Sequence, residues 1–444
     1  MNQGFESKSY WLSSMPYTPN PSLNGDITVD VGIVGGGFTG LSTAYHLKKE
    51  NPDMRVAILD SEVVGFGASG RNGGFNMTLF GLTMPITAMR FGREKTRQAH
   101  FYMEEAVDYL HALIQKHDIA CDYEHNGFLR VATSEKYKRR IMDEVEFAHK
   151  LGLEGISWLN ESQVREEVGS PMYLGGWWEP RCGILNPAKL SWAWKDIVTA
   201  LGVSVYENTA VTEISKQTGH VALQTENGRV KADKIVLATN AYSHLIPDIK
   251  RKQMPGWTYI VLTEPLSEDQ LSQIGWANRQ GVEDARNMIH YYRLTADNRL
   301  LMGGRDVGFA YGKNMDLDRN ERIFAKLEAD VRQIFPCLKS VSFTHRWGGP
   351  VSITTDMVPV IGFIGDKNIA YSIGCIGHGV SMTHLNGKTV SELVLGEETD
   401  LTDMFFVNRR ILPWPPDPVK FIAAHMIRGC MHLGDLIHDP KPAA

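Results

Sequence analysis

The stretch that most constrains this chain is Val29–Gly40, VDVGIVGGGFTG. Its first half, with Val29, Val31, Ile33 and Val34, is an apolar β-branched run that reads as a buried strand. Gly35, Gly37 and Gly40 then spell G-x-G-x-x-G, and Leu41–Lys49 has helical composition. A second apolar run, Val56–Leu59, ends at Asp60. Gly35 permits a tight turn, Gly37 lets backbone approach a pyrophosphate, and Gly40 lets helix pack closely on strand. The helix N-terminus offers unpaired N–H groups and the positive end of its dipole to phosphate. Asp60 stands where an acidic residue accepts from a ribose hydroxyl. Strand, turn, helix, strand and acid in this order predict a dinucleotide-binding unit. The alternative is a glycine-rich turn that binds nothing.

Bulk properties narrow the partners. A chain of 444 residues is long enough for two domains. A formal charge of −5, without a Lys/Arg run, argues against nucleic acid. Cys121, Cys182, Cys337, Cys375 and Cys430 are scattered and odd in number, as expected for reduced thiols in a reducing compartment. The polar N-terminus, with Pro16, Pro19 and Pro21, lacks the apolar core of a secretory signal. No apolar run approaches the length of a membrane span. The expectation is a cytoplasmic protein. No metal site is expected either, since H-E-x-x-H and paired-Cys spacings are absent.

Elements of nucleotide-binding type recur at the start, middle and end of the chain. Lys234–Asn240 and Ile369–Ile373 read as buried strands, the latter followed by a glycine-rich turn and a helix over Val380–Leu395. Turn signals at Thr218-Gly219 and Asn227-Gly228 punctuate short β-like runs between Val203 and Val236. Helical periodicity marks Arg93–His117, Ser134–Leu151 and Asp318–Phe335, and Gly127–Ala132 reads as a strand. These patterns predict an α/β (α+β overall) chain with a Rossmann-like domain built from 1–90, 176–245 and 343–444. A substrate domain with a mainly antiparallel sheet is expected from 91–175 and 246–342. Residues 1–26 read as an irregular arm. The tail, Phe421–His438, carries Phe421, Ile422, Met426, Ile427, Met431 and Leu433, an apolar helix face that either docks on its own protein or offers a surface contact.

Two further glycine clusters point beyond a generic nucleotide. Gly65–Gly74, GFGASGRNGG, holds five glycines, one cation and one amide in ten residues, a backbone that must run close to something flat or anionic. Gly374–Gly379, GCIGHG, sets glycines between a strand and a helix and creates a second helix N-terminus. A reduced flavin, anionic at its N1–C2=O edge, is stabilised by such a dipole and its N–H donors.

At this point the chain resembles the D-amino-acid oxidase-like FAD-dependent oxidoreductases, and within them the gamma-glutamylputrescine oxidase-type amine oxidases. The matching residues run in family order: Tyr10-Trp11, Gly25-Asp26, Val34–Leu41, Gly67–Gly74, Leu237–Ala241, Arg346-Trp347, Thr355–Gly362 and Gly374–Gly379. The resemblance implies FAD in a discontinuous domain, with substrate over the flavin beneath an antiparallel sheet. It implies hydride transfer from a C–H next to an amine nitrogen to flavin N5, hydrolysis of the imine to a carbonyl, and electrons passed usually to O2. By position, Gly35, Gly37, Phe38, Thr39, Gly40, Asp60 and Ser61 would hold the adenosine diphosphate. Gly67, Ala68, Ser69, Arg71, Asn72, Gly73, Gly74, Val211, Ala238, Thr239, Asn240 and Gly348 would follow. Gly374, Gly377, His378, Gly379 and Val380 would sit at the flavin end.

Departures from the relatives carry information. Sarcosine oxidases bind flavin through a cysteine shortly before the T-x-D stretch, where this chain has Arg346–Pro350, so FAD is expected to be non-covalent. Their substrate-carboxylate lysine after G-H-G is here Ser381, and their oxygen-activating lysine falls near Leu301, leaving an electron-transfer dehydrogenase open. Candidate catalytic side chains are His378 beside the flavin, Trp347 as a wall, Arg305 as an anchor for an anionic group, and Tyr259. Tyr291, Tyr292, Trp177 and Trp178 are further candidates for an aromatic box around an amine cation. A competing reading, a flavin monooxygenase using NAD(P)H, would need a second nicotinamide-binding glycine motif, which the sequence lacks.

Overall fold

The computed structural model describes residues 4–439. Two eight-stranded sheets organise it. The first has the order 360–363, 369–373, 229–237, 27–34, 56–59, 204–206, with the hairpin 213–217/220–224 added beside 229–237. Ile27–Val34 lies parallel to both Arg229–Leu237 and Val56–Leu59. Every residue of Val56–Leu59 is buried, as a central parallel strand covered on both faces requires. Helices Phe38–Glu50 and Gly379–Leu395 cross on this sheet with almost no gap. A Cβ at Gly387 would lie 2.5 Å from that of Ser42, and Ser42 Oγ donates to the His384 carbonyl at 2.6 Å.

The second sheet runs 343–353, 254–265, 299–309, 290–294, 281–284, 128–131, 175–179, 157–160. Its pairings are antiparallel except that between 281–284 and 128–131. Helix Glu321–Ile334 covers one face, burying Ile323, Phe324, Leu327, Val331 and Ile334 at helical spacing. The mixed α/β architecture with a mainly antiparallel second sheet is thus as expected. Strands Gly175–Glu179 and Phe343–Ile353, expected to belong to the nucleotide-binding part, instead pair in the second sheet. Neither strand carries a sequence signal for which sheet it joins.

The arm is less irregular than expected. Residues Phe5–Lys8 and Tyr10–Ser13 form helical turns, and Trp11 and Leu12 are buried. Trp11 Nε1 donates to the Asn72 carbonyl at 2.8 Å and Ser9 Oγ to Gly70 at 2.7 Å, so the arm braces the second glycine loop. The tail forms a helix, Val419–His438, that docks on the second sheet with most of the expected apolar face turned outward, Met431 and Phe421 excepted. Ile422, Met426, Ile427 and Leu433 point outward, while Lys420, Ala424 and Asp435 are buried. Polar anchors decide this orientation: Asp435 accepts from the Asn287 and Met288 amides, both at 2.8 Å, and Arg428 Nε donates to Asp306 at 2.5 Å. Among the described residues no helix is long and apolar enough to cross a membrane.

Candidate active site

The first glycine turn follows directly from strand Ile27–Val34. Gly35 has φ +109°, and a Cβ there would meet the Ala238 carbonyl at 2.8 Å. A Cβ on Gly40 would lie 2.1 Å from the Gly35 carbonyl, so this glycine sets how closely the helix sits on the turn. Asp60 closes the second strand and holds the turn from the side. Its oxygens accept from the Gly36 amide at 2.6 Å and the Glu62 amide at 2.9 Å. Burial nevertheless pushes its carboxyl up to about 6.

In the loop Gly65–Gly74 the polar residues hold the loop itself. Arg71, fully buried, donates to Asp318 Oδ1 at 2.8 Å and the Tyr242 hydroxyl at 2.7 Å. Asn72 donates to the Ala68 and Ser69 carbonyls and accepts from the Gly74 amide at 2.7 Å. Ser69 Oγ accepts from the Phe38 amide at 3.1 Å, joining this loop to the first turn.

Gly374–Gly379 forms a third turn, with φ positive at Gly374, Ile376 and Gly377. His378 stands at the N-cap of helix Gly379–Leu395, and no side chain caps that end. Its Nδ1 is buried without a partner. Burial, helped by the Arg130 charge, pulls its imidazole down to about 4, so it is neutral at pH 7.

A cavity of about 820 Å³ runs along all three turns. Of the expected cofactor residues it touches Gly35, Gly37, Phe38, Thr39, Asp60, Ser61, Gly67, Ala68, Ser69, Arg71, Asn72, Gly73, Val211, Ala238, Thr239, Asn240, Gly377, His378, Gly379 and Val380. Gly40, Gly74, Gly348 and Gly374 stand behind it. Gly40 serves the helix–strand contact, and a Cβ on Gly74 would strike the Leu185 carbonyl at 2.1 Å. A Cβ on Gly348 would meet the Asp318 carbonyl at 2.8 Å, and one on Gly374 the Thr354 methyl at 2.6 Å.

The second sheet forms the opposite wall. Trp177, Arg130, Glu283, Tyr291, Gly303, Ile260 and Trp347 are consecutive register partners across it. Three of these, Arg130, Glu283 and Tyr291, line the cavity. Trp347 does not: its Nε1 donates to the Arg71 carbonyl at 2.9 Å and its ring lies edge-on to Trp11, as part of the core. Tyr259 does not either. It neighbours Ile260, so strand alternation turns it to the other face, edge-on to Phe324. Arg305 lines the cavity, but its Nη1 is held by Asp330 Oδ2 at 2.7 Å. Tyr292 pairs with the Tyr173 hydroxyl on the far face, and Trp177 and Trp178 are absent from the lining, leaving Tyr291 of the proposed aromatic set. Leu301 is buried in the core and Ser381 Oγ donates to the Met77 carbonyl at 2.8 Å. Arg130 and Glu283 escaped the sequence reading, although a charge inside the apolar runs FLRV and GVED is a readable signal.

A parallel sheet with a glycine turn and acid at its carboxyl edge, joined through one cavity to an antiparallel roof, defines a dinucleotide-cofactor oxidoreductase of two-sheet type. The cavity suits FAD: its lining includes the uncapped N-terminus of a seventeen-residue helix, His378 with its unpartnered nitrogen, and Asp60. A family model described as FAD dependent oxidoreductase, DAO, matches residues 30–393, and the chain belongs to this family. It is 36% identical over 393 residues to gamma-glutamylputrescine oxidoreductase of Escherichia coli (strain K12), covering 88% of this chain and 89% of that protein. It is 30% identical to a probable oxidoreductase, OrdL, of Haemophilus influenzae, covering 84% of each. Among solved structures, glycine oxidase from Geobacillus kaustophilus superposes with a TM-score of 0.71 at 20% identity, covering 86% of this chain and 99% of that one. The chain is therefore an FAD-dependent oxidoreductase.

Proposed function

We propose that this protein oxidises a primary or secondary amine at the carbon bonded to nitrogen, the product imine hydrolysing to a carbonyl. The observation that carries this reading is the single cavity joining Asp60 and the first glycine turn to His378 beneath Arg130, Glu283 and Tyr291. Bound FAD supplies the hydride acceptor; the protein supplies position and electrostatics. Gly35, Gly37 and the first turn of helix Phe38–Glu50 receive the pyrophosphate, Asp60 the ribose, and the Val211 backbone the adenine. The uncapped amides at the start of helix Gly379–Leu395 would stabilise the negative charge that bound FAD gains on reduction. With His378 held neutral by burial, stabilisation of that charge would fall to these amides. The FAD-binding unit comprises the first sheet and its two crossing helices, and the substrate unit the second sheet.

The FAD is held non-covalently. Cys375 is the cysteine in the cavity lining, and burial raises its thiol above the ordinary value, which leaves it a poor nucleophile. O2 or another acceptor takes the electrons. The stretch around the buried Leu301, near which related oxidases carry a lysine, favours slow oxygen use and a second reading as a dehydrogenase. Free thiols at all five cysteines support a cytoplasmic setting, and the outward apolar residues of the tail helix offer a surface for a partner.

Purified protein is expected to be yellow and to release its flavin on acid precipitation. Anaerobic addition of an amine, without NADPH, is expected to bleach it. Bleaching by NADPH alone would overturn amine oxidation, and flavin that stays with the precipitate would overturn non-covalent binding.

A further inference from the structure

Glu283 is out of keeping with its surroundings. It lies on strand Gly281–Asp284 between Arg130 and Tyr291 in the register, is 3% exposed, and contributes to the cavity wall. Neighbouring acids behind this wall are fully engaged. Glu144 accepts from Arg130 Nη1 at 2.6 Å and Arg140 Nε at 3.3 Å, and Asp284 is bonded to Arg286 and to His290 Nδ1. No side-chain or backbone donor among the described residues makes a hydrogen bond to the Glu283 carboxylate. Arg130 Nε stands 3.6 Å away, close enough for an ion pair but too far for a hydrogen bond, and has no hydrogen-bond partner of its own. A buried carboxylate normally collects several donors, and one that lacks them at a cavity wall is open to donors from a ligand.

We infer that Glu283 receives an ammonium group of the substrate, which makes it the residue that selects cationic amines over amines carrying a carboxylate beside the nitrogen. Three N–H donors of an ammonium fit an acceptor-only carboxylate, and the adjacent Tyr291 ring presents a π-face or edge to the same region. A carboxylate next to the substrate nitrogen would instead be brought against Glu283. Burial lifts the Glu283 carboxyl to about 7, as expected of an acid whose donors are missing. Arg130, its charge shared with Glu144, holds the Glu283 carboxylate in place. This inference rests on the amine-oxidation reading above.

The test is anaerobic flavin reduction of the holoenzyme by butylamine, 1,4-diaminobutane and sarcosine, in wild type, Glu283→Gln and Glu283→Asp. The Gln variant should keep its flavin and spectrum and show a Kd for the amines about 10- to 100-fold higher. The Asp variant, with its charge withdrawn by one methylene, should fall between. A loss on both butylamine and diaminobutane places the reacting nitrogen at Glu283, whose carboxylate would take the ammonium proton that has to leave before the hydride does. A loss confined to diaminobutane places a second ammonium there. Sarcosine should reduce wild type poorly and gain relative to the amines in the Gln variant. Variants that retain flavin and bind amines as wild type does would overturn the inference while leaving the function standing. Wild type bleached by dithionite but by no amine would overturn the function, and this inference with it.

Discussion

His290 sits between two carboxylates, its Nδ1 2.9 Å from Asp284 Oδ2 and its Nε2 3.0 Å from Asp330 Oδ2. Burial alone would lower its pKa, but the two acids outweigh it and lift the imidazole to about 9. Arg286, bonded to Asp284, and Arg305, bonded to Asp330, complete the cluster. Because the folded-state value lies above the unfolded one near 6.5, the stabilisation is complete below about 6.5 and is lost as pH rises through 9. Melting temperature should therefore fall between pH 6.5 and 9.5 more steeply in wild type than in His290→Gln; equal slopes would contradict this. At the other end of the molecule, Asp60→Ala should weaken FAD binding roughly 10- to 100-fold by removing an acceptor for ribose hydroxyls. Fluorescence titration of the apoprotein with FAD measures it directly, and affinity within twofold of wild type would exclude a ribose contact.

Elements meet in this protein through missing side chains. Gly40 and Gly303 serve different sheets, so they separate cofactor binding from substrate binding. Gly40→Val would drive a side chain into the Gly35 carbonyl, and the purified protein should lack flavin. A Cβ on Gly303 would fall 2.3 Å from the Tyr291 ring, so Gly303→Val should keep its flavin while displacing Tyr291 and raising the amine Kd. A flavin-free Gly303→Val would remove this division of labour. Helices 93–116, 135–150 and 321–334 were legible from sequence because each buries one face and exposes the other, which writes a 3.6-residue period. Strands 128–131 and 281–284 carry no comparable label. Their partnership, and with it the Arg130–Glu283 juxtaposition, joins residues about 150 positions apart that local periodicity does not connect.

The whole molecule is closed by its tail. Asp435 satisfies two backbone amides at 287 and 288 and the Tyr137 hydroxyl, and Met431 reaches the cavity wall. Asp435→Ala strands three donors, so it should lower the melting temperature and open the cavity to faster amine exchange, without changing the flavin spectrum. Stopped-flow reduction together with thermal unfolding tests both parts, and an unchanged melting temperature would count against the anchoring role. The cofactor turns were readable from sequence by themselves, because G-x-G-x-x-G, the acid after the second strand and the two later glycine clusters are local constraints on backbone and charge. Their union into one cavity needed the tertiary structure. So did the reassignment of Trp347 and Tyr259 to packing, since strand alternation and sheet partners decide which face a side chain enters. The carboxylate of Glu283, beside Arg130 yet without a hydrogen-bond donor, belongs with these, because only a fold can bury a charge and leave its donors out.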